Sequence, residues 1–478
     1  MKMTKQANLR EIELSDHYLV AEIKVAGLFG RYKYRASPIS ESDQREGGPP
    51  LMLIYGGNGS GKTTILRMLY HLLSPAPNKG HRTALLKVPF DTFSVRLGTG
   101  DVVTAERLPG EGLGQMRITV RRRGKIKARA TYPSDPNHQR QKLASLSFQE
   151  LSRQLNLYET VNDLEEFQRG YERGYESATF SDPYTDYLAK LSPQPFMLAD
   201  DRRIHADEPL NSAASGSKRV AHRLAREREV QAATGLVAEL DAAMLRVSEW
   251  LRQSILSGAA EGSQSADEIY RQVLSQIGHS DATGDAPTIE SVRNRLGELD
   301  ARTRKFNEFE LVPKIAVRPM LGMLNAIPDS STDIAARILE PYISGQLARL
   351  DSLQETESLV RTIVHHLNKY LVDKEVSLTP RSGLRIKTSD GAILTSDMLS
   401  SGERQILLLL LNSFLARPRT SLFLIDEPEI SLNVRWQRSL VGSLLDVVKG
   451  SKVQFIMASH SVEIITQHKQ YLARLESL

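Results

Sequence analysis

The stretch Gly56-Gly57-Asn58-Gly59-Ser60-Gly61-Lys62-Thr63-Thr64 decides how the rest of this sequence is interpreted. It matches the pattern G-x-x-x-x-G-K-[ST], whose glycines let the backbone approach phosphate groups closely. Amide groups at the start of the following helix point at the same anion. We expect Lys62 to reach the β- and γ-phosphates of a nucleotide and the Thr63 hydroxyl to bind Mg²⁺. The whole stretch is therefore a candidate nucleotide-binding loop.

The sequence on either side of the loop supports the same interpretation. The apolar run Leu51-Met52-Leu53-Ile54-Tyr55 predicts a buried strand before the loop, and residues 65–73 predict a helix after it. A glycine-rich turn without a ligand would also connect a strand to a helix. The complete motif between these two elements favours phosphate binding.

The composition is that of a globular protein, with 478 residues, 40% hydrophobic and 25% charged. This length predicts roughly two to four domains, or one domain with a large insertion. The absence of cysteine excludes disulfides and thiolate metal sites. No apolar secretory signal follows Met1, and the longest apolar run, Ile406 to Leu411, is too short to cross a bilayer, so we expect a cytoplasmic protein without a membrane partner. The net charge of +5 permits an acidic partner such as nucleic acid.

Strand patterns occur on both sides of the middle of the chain. Residues 18–36 predict two strands joined by a Gly27–Gly30 turn, and residues 85–132 predict two hairpins. A short buried strand is expected near 195–200, and further short strands are expected across 376–394.

Helical patterns fill most of the middle of the chain. Residues 138–192 and 289–371 predict helices, and prolines predict interruptions at Pro313, Pro319, Pro328 and Pro341. Another helix carries an apolar seam made of Leu236, Leu240, Ala243, Val247 and Trp250. Glycine, serine and aspartate across 257–287 predict a break that holds only a short helix near 269–277. We therefore expect a bent helical insertion rather than one long rod.

Three further motifs follow in the last quarter of the chain. Met398-Leu399-Ser400-Ser401-Gly402-Glu403-Arg404-Gln405 precedes an apolar helix, the run 422–425 ends in Asp426-Glu427-Pro428, and the run 453–459 ends at His460. Each of these alone is typical of an ordinary strand or loop. Together, in this order after a phosphate-binding loop, they resemble the ABC-class ATPases closely.

The resemblance to ABC-class ATPases assigns Ser401, Gly402 and Glu403 to the signature motif at a helix N-terminus. In that class the signature contacts the γ-phosphate of ATP that is bound to the other protomer. A head-to-tail dimer around ATP is therefore implied. Residues 431–433 match the position of the loop that crosses this dimer interface.

The same resemblance assigns the hydrolytic residues. Asp426 matches the Walker B acid that supports Mg²⁺, together with Thr63, and Glu427 matches the general base for the attacking water. His460 matches the switch histidine that contacts the γ-phosphate. The implied catalytic set is Lys62, Glu427 and His460, with ATP and Mg²⁺ as cofactors.

The fold class expected from these motifs is α/β, an ABC-type P-loop ATPase head with an antiparallel β-subdomain and a large helical, bent coiled-coil-like insertion. Residues 1–135 would form the N-terminal half of the head. Residues 136–373 would form the mainly helical insertion, with the short core strand near 195–200. Residues 374–478 would form the C-terminal half with the signature, the Walker B acid and the switch histidine.

The long gap between the phosphate-binding loop and the signature resembles the SMC-like and OLD-like branch rather than transporter cassettes. The sequences of residues 25–30, 199–202 and 426–432 are also similar to that branch. OLD-family nucleases continue into a metal-dependent Toprim domain, whereas this sequence ends at Leu478, so we expect any nuclease to be a separate polypeptide. Stand-alone ATPases of this build are similar to the AriA-type and PtuA-type subunits of the PARIS and Septu anti-phage systems, with the PARIS type favoured.

The function expected from the resemblance is a slow, regulatory ATPase. It would form at least a homodimer, act as sensor and scaffold of an anti-phage system, and control a separate effector, such as a nuclease. DNA or a DNA-mimicking phage protein would be an acidic trigger. The alternative is an SMC-like ATPase that clamps or repairs DNA. A transporter cassette is disfavoured by the large insertion.

Some assignments remain open. The Q-loop glutamine could be Gln115 or Gln149, and an adenine contact could come from Phe29 or Tyr32. Two basic clusters could bind phosphates or an acidic protein, or could be solvated faces balanced by nearby acids. The first cluster contains Arg117, Arg121, Arg122, Arg123, Lys125, Lys127 and Arg129, and the second contains Lys218, Arg219, Arg223, Arg226 and Arg228. Aromatic residues do not interleave with either cluster, so base stacking is not indicated.

Overall fold

The structure is a computed structural model, which describes residues 19–37, 51–57, 59–76, 79–108, 115–132, 182–198, 204–206, 235–278, 288–328, 331–474 and 476–477. The chain divides into two compact units. The first unit comprises Met1–Ser212, Ala416–Val441 and Val448–Leu478, and the second comprises Ala213–Leu415 and Gly442–Val447.

The described part of the chain is a mixture of strands and helices. The strands are β1 (Val20–Leu28), β2 (Tyr32–Ala36), β3 (Leu51–Tyr55), β4 (Thr92–Leu97), β5 (Asp101–Leu108), β6 (Gln115–Arg122), β7 (Lys125–Tyr132), β8 (Gln194–Leu198), β9 (Ile204–Ala206), β10 (Lys374–Thr379), β11 (Gly383–Thr388), β12 (Ile393–Leu394), β13 (Ser421–Asp426), β14 (Val453–Ser459), β15 (Leu472–Arg474) and β16 (Glu476–Ser477). The helices are α1 (Lys62–Leu73), α2 (His81–Lys87), α3 (Pro183–Leu191), α4 (Gly235–Gly278), α5 (Ile289–Asn307), α6 (Val317–Asn325), α7 (Thr332–Ser352), α8 (Gln354–Asn368), α9 (Ser401–Leu415), α10 (Val434–Val448) and α11 (Val462–Gln467).

A mainly parallel sheet forms the centre of the first unit. Its strand order is β15-β3-β14-β13-β8-β9, and only the β8–β9 pair is antiparallel. Every residue of β13 and β14 is buried, as expected for parallel strands that are covered on both faces. The prediction of buried strands at 51–55, 422–426 and 453–459 and near 195–200 is confirmed, and the α/β fold class is confirmed with it.

A seven-stranded antiparallel sheet forms the other layer of the first unit, in the order β16-β2-β1-β4-β5-β6-β7. One face is apolar because residues such as Phe93, Val103 and Ile118 alternate with polar neighbours, and this face belongs to the main core. The predicted hairpins and the Gly27–Gly30 turn are confirmed. The strand-like periodicity was expected to begin at Leu85, but Leu85 and Leu86 lie in α2.

A buried glutamine connects the two sheets of the first unit. The Gln454 side chain accepts a hydrogen bond from the Val20 amide at 2.9 Å and donates one to the Val20 carbonyl at 2.8 Å. Both atoms of its amide group are therefore satisfied, although the residue is only 4% exposed. This pair fixes the start of β1 against β14.

The second unit is mainly helical. Helix α4 packs against α7 and α9, and the small antiparallel sheet β10-β11-β12 lies against α4. The predicted apolar seam of α4 is confirmed at Leu240, Ala243 and Val247, all fully buried. Trp250, the last seam residue, contacts Phe414 edge-on with ring centroids 4.7 Å apart.

The predicted break after residue 257 is wrong, because α4 continues without interruption to Gly278. Gly258 is explained by packing: a Cβ atom built on it would lie 2.5 Å from Leu353 Cδ2. A glycine in a helix costs only about 1 kcal/mol relative to alanine, so a close tertiary contact can outweigh it.

The prolines of the helical unit differ in their effects. Pro313 and Pro328 lie between helices, as predicted. Pro319 lies in the first turn of α6, where an amide donor is not needed. Pro341 lies inside α7, which continues through it, so the predicted interruption there is wrong.

No helix in the described ranges is long and apolar enough to cross a membrane. Several predictions concern residues outside those ranges. These are Asn58, Gln149, the end of the strand at 199–202, the second basic cluster and most of the helical pattern at 138–192.

Candidate nucleotide-binding site

Three parallel strands bring the predicted motifs of the first unit to one edge of its sheet. Strand β14 lies between β3 and β13, with Ser459 opposite Tyr55 and Ala458 opposite Asp426. The phosphate-binding loop, Asp426-Glu427 and His460 therefore follow the carboxyl ends of three adjacent strands, which are about 4.8 Å apart. Ligands of open parallel sheets bind at this edge.

The loop after β3 leads directly into α1. Gly59 and Gly61 have φ angles of 76° and 82°, so the loop uses the left-handed conformation that glycine adopts without strain. Lys62 is 6% exposed, and its Nζ donates to the carbonyls of Gly56 at 2.8 Å and Gly57 at 3.1 Å. The buried ammonium group is thus held inside the loop, at the start of α1.

The start of α1 is open to an anion. Its N-cap is Gly61, no side chain caps it, and its first turn has no acidic residue. The first amides of a helix lack intrahelical partners and carry the positive end of the helix dipole. This start therefore has the properties that a phosphate group requires.

Asp426 and Thr63 provide oxygen donors suited to Mg²⁺. Asp426 ends β13 and is 3% exposed, and α1, which contains Thr63, packs against β13. A carboxylate and a hydroxyl group are hard ligands of the kind that Mg²⁺ prefers. The donor set therefore fits the cofactor.

Glu427 is held in an unusual backbone conformation directly after β13. Its φ angle is 49°, in the left-handed region that non-glycine residues seldom adopt. Its amide donates to the Ala458 carbonyl of β14 at 2.8 Å, and its carbonyl accepts from the Ile430 amide at 3.1 Å. The neighbouring strand therefore holds the strained residue in place, a pattern that is common at functional sites.

Glu429 is a site residue that the sequence did not single out. It is 7% exposed, and its Oε1 accepts hydrogen bonds from the Ser459 hydroxyl at 2.8 Å, the His460 amide at 2.9 Å and the Ser461 amide at 3.0 Å. The carboxylate thus fixes the turn that follows β14. The acid Glu429 is visible in the Asp-Glu-Pro-Glu sequence. The direction in which its side chain points depends on the left-handed backbone conformation of Glu427.

His460 contacts both glutamates. Its Nδ1 is in close contact with Glu427 Oε2 and lies 3.6 Å from Glu429 Oε1. The ligand atoms of these three side chains lie within 4.8 Å of one another, so the group could also accept a cation. The His460 side chain is 53% exposed, whereas the two carboxylates are largely covered.

The surroundings of Glu427 raise its pKa toward neutral pH. Burial and then the neighbouring charge of Glu429 raise the pKa of Glu427 to about 7, against the opposing effect of His460. A general base with a pKa near the working pH combines sufficient ionisation with sufficient basicity. Glu427 can therefore accept a proton from water under neutral conditions.

The signature residues Ser401, Gly402 and Glu403 lie in the second unit, at the start of α9. Glu403 Oε2 accepts from the Ser400 amide at 2.8 Å, and the Ser400 hydroxyl accepts from the Glu403 amide at 3.3 Å. These reciprocal bonds form a capping box. Lys374 Nζ lies 2.7 Å from the Glu403 carboxylate and balances its charge.

The structure shows where three candidates for the adenine contact and the Q-loop lie: Phe29, Tyr32 and Gln115. Phe29 is 43% exposed, and its ring lies 3.8 Å from the position of a Cβ built on Gly61, so it borders the phosphate-binding loop. Tyr32 instead stacks on Tyr34, with ring centroids 5.5 Å apart. Gln115 is the exposed first residue of β6. Among these candidates Phe29 is the one placed beside the loop.

Comparison with protein families identifies the class of this fold. A model described as "AAA domain" (AAA_23) matches residues 44–306, which is more than half of the chain. The chain belongs to this AAA domain family. A second model, described as "AAA domain, putative AbiEii toxin, Type IV TA system" (AAA_21), matches residues 291–466 of this AAA-domain protein. No curated protein matches the chain.

Solved structures with similarity to this AAA-domain protein include Smc heads. One is the Smc head domain with an extended coiled coil bound to the C-terminal domain of ScpA from Pyrococcus furiosus, at 12% identity and a TM-score of 0.33, covering 96% of each chain. Another is the SmcHead bound to the C-winged helix domain of ScpA, at 10% identity and a TM-score of 0.32, covering 96% of this chain and 97% of that chain.

Proposed function

We propose that this AAA-domain protein binds ATP with Mg²⁺ and hydrolyses it. The observation that carries the proposal is the convergence of the phosphate-binding loop, Asp426, Glu427 and His460 at adjacent strand ends. Each group is of the chemical type that phosphoryl transfer to water requires. The tuned pKa of Glu427 supports its role as the base.

The proposed mechanism gives each residue one task. The glycine loop and Lys62 hold the β- and γ-phosphates at the start of α1. Thr63 and Asp426 would hold Mg²⁺, which would neutralise charge on the phosphates. Glu427 orients water and accepts its proton, and His460, next to Glu427, contacts the γ-phosphate and responds to its loss. Glu429 keeps His460 within reach through its bonds to the turn.

The biological role we propose is regulation of a separate effector. The signature at the start of α9 would complete the ATP site of a second copy, so that ATP closes a homodimer. The description of the family model that matches residues 291–466 names a putative toxin of a Type IV toxin–antitoxin system. This description supports a role in bacterial defence. The chain would then act as cytoplasmic sensor and scaffold of an anti-phage system whose effector, such as a nuclease, is another polypeptide.

Co-purification tests the regulatory role. The tagged chain is expressed with the product of the neighbouring gene, and complexes are isolated without nucleotide, with ATP and with ADP, using wild type and Glu427→Gln. We expect a complex whose amount depends on nucleotide. Absence of a complex in every state would contradict the regulatory role and leave the ATPase assignment in place.

A DNA-clamping ATPase is the second candidate function. The cationic outer face of the antiparallel sheet, described below, is the observation that favours it. The rate of ATP hydrolysis with and without duplex DNA separates the two candidates, with Glu427→Gln as the blank. Clear stimulation by DNA would favour the clamp, and a slow rate that DNA does not change would favour the protein-triggered switch.

A further inference from the structure

The outer face of the antiparallel sheet in the first unit is strongly cationic. In β1, β4, β5 and β6, buried apolar residues alternate with residues that point away from the core. Strand register places six outward cationic side chains on this face. They are Lys24, Arg35, Arg96, Arg117, Arg121 and Arg129.

Strand register places Glu22 and Glu106 on the same face, and Glu476 of the edge strand β16 lies opposite Arg35. Glu106 lies 3.6 Å from Arg117. Asp101 lies on the buried side and pairs with Arg122 at 2.9 Å, so this arginine of the predicted basic cluster is engaged internally. The face therefore has an excess of positive charge that its own acids do not balance.

Glu22 organises one end of this face. It is 6% exposed, and its carboxylate lies 3.1 Å from Lys24 Nζ, 2.5 Å from Arg35 Nε and 3.6 Å from Arg96 Nε. Burial alone would raise the pKa of Glu22, but the hydrogen bonds and charges of these cations hold it below its usual value. One carboxylate thus orients three cations whose side chains remain 43–46% exposed.

The spacing of the cations fits a long polyanion. They extend over strands β2 to β7, which are about 4.8 Å apart, so the face is roughly 24 Å wide. Duplex DNA carries one phosphate charge per about 1.7 Å of its axis, and a rigid array of cations can contact several phosphates along that length.

The aromatic residues of the sheet favour a duplex over a single strand. The aromatic side chains Phe93, Tyr32, Tyr34 and Tyr132 pack into or against the buried core, so these strands provide no outward platform for unpaired bases.

We propose that this cationic sheet face, defined by Lys24, Arg35, Arg96, Arg117, Arg121 and Arg129, binds the phosphate backbone of double-stranded DNA without reading its sequence. The contacts are electrostatic, and Arg121 on β6 and Arg129 on β7 lie toward the β7 edge of the face. Binding does not require ATP, so failure of this inference would leave the ATPase assignment in place, although it would remove the support for the DNA-clamping candidate.

Fluorescence anisotropy with the full chain tests the proposal. A labelled duplex of about 30 base pairs is titrated without nucleotide at salt concentrations from about 50 to 200 mM. We expect the affinity to fall steeply with salt and to be the same for unrelated sequences. The double variant Arg121→Ala/Arg129→Ala should bind about tenfold more weakly, and its salt slope should decrease by about two phosphate contacts.

A matched variant controls for net charge. Arg293 and Lys305 are exposed on α5 in the second unit, so Arg293→Ala/Lys305→Ala removes the same charge from another surface and should bind as wild type does. The variant Arg121→Lys/Arg129→Lys should restore binding, which a folding defect in the alanine variant would not explain. Lys62→Ala should keep DNA binding while it loses ATP, which separates this inference from the ATPase assignment.

Competing ligands decide whether DNA is the partner. A single strand of the same length, an RNA duplex and poly-glutamate are titrated in parallel. Equal or tighter binding of any of them would overturn the proposal, and tighter binding of poly-glutamate would identify an acidic protein as the partner. Equal loss of affinity in the Arg293→Ala/Lys305→Ala variant would overturn the assignment to the sheet face.

Discussion

Helix α1 begins after Gly61 with no side-chain cap and no acidic residue in its first turn, whereas α9 begins with reciprocal hydrogen bonds between Ser400 and Glu403. The sequence assigns both helix starts to phosphate binding. In α1 the amides at the helix start remain available for a ligand. In α9 the Ser400 hydroxyl already accepts from the Glu403 amide, the Glu403 carboxylate accepts from the Ser400 amide, and Lys374 balances the charge of that carboxylate.

The two helix starts therefore have different requirements. An open start gives strong anion binding because the ligand itself supplies the missing acceptor. A capped start is stable without a ligand, because two of its amides already have acceptors within the chain. We infer that α1 provides most of the affinity for ATP, and that the start of α9 acts afterwards, on a nucleotide that is already bound to another copy.

Removal of the loop lysine should have the largest effect. Lys62→Ala removes the ammonium group held at the open helix start, so ATP affinity should fall by about two orders of magnitude or more, since a charge-assisted contact in a buried site is lost. Isothermal titration with ATP and Mg²⁺ measures this. Lys87→Ala, on the exposed surface of α2, is the matched control. Unchanged affinity in Lys62→Ala would refute the assignment of the loop.

Substitution of the base should spare binding and stop turnover. Glu427→Gln keeps the size of the side chain but removes proton acceptance, so kcat should fall by about 10²–10⁴ with little change in ATP affinity. The trapped nucleotide should then engage the start of α9 in a second copy and give an ATP-dependent dimer, measured by light scattering. Normal turnover would refute the role of Glu427, and a monomer with ATP bound would refute the proposed dimer.

The sequence predicted the parts of the site that depend on short local patterns. Buried parallel strands appear as continuous apolar runs, so β3, β13 and β14 could be located, and the residues at their carboxyl ends followed. The role of Glu429 could not be predicted, because its direction depends on the left-handed conformations of Glu427 and Ser431. Backbone conformations of this kind are set by the neighbouring strand rather than by local propensity.

Tertiary packing explains what the sequence predicted wrongly in the helical unit. Glycine, serine and aspartate across 257–287 predict a break in α4, but Gly258 allows Leu353 to approach the helix. Pro341 was interpreted as an interruption, yet α7 continues through it. In the first unit, the role of Gln454 could not be predicted from the sequence. A polar residue in an apolar strand is explained only by its partner, which here is Val20. The contacts of Gly258 and Gln454 join residues that are distant in sequence, which local patterns do not contain.

Opening the capped helix start should have a moderate effect on stability. Glu403→Gln weakens the bonds to Ser400 and Lys374, so the unfolding midpoint should fall by about 2–4 °C for a loss of about 1 kcal/mol. Interactions with Lys374 and Ser400 hold the pKa of Glu403 below its usual value despite burial. Stability from a lowered pKa is present above the unfolded-state pKa and is lost as pH falls through the folded-state pKa.

The difference in unfolding temperature between wild type and Glu403→Gln should therefore be complete at neutral pH and should shrink below about pH 4. Thermal unfolding from acidic to neutral pH measures it. Glu375→Gln, an exposed acid on β10, should show no such difference. A difference that is constant across this range would contradict the capping role of the carboxylate.

The smallest expected effect concerns the pH dependence of turnover. Because burial and Glu429 raise the pKa of Glu427 to about 7, kcat should increase as pH rises through that value and Glu427 ionises. Glu429→Gln keeps an oxygen that can accept from the turn after β14 but removes the negative charge, so the pKa of Glu427 should fall and the acidic limb of the kcat profile should move to lower pH. The shift should be partial, since burial is the larger cause. Titration of the nucleotide is the same for both proteins, so it cancels in the comparison. An acidic limb that does not move would mean that Glu429 acts only through its hydrogen bonds to the turn.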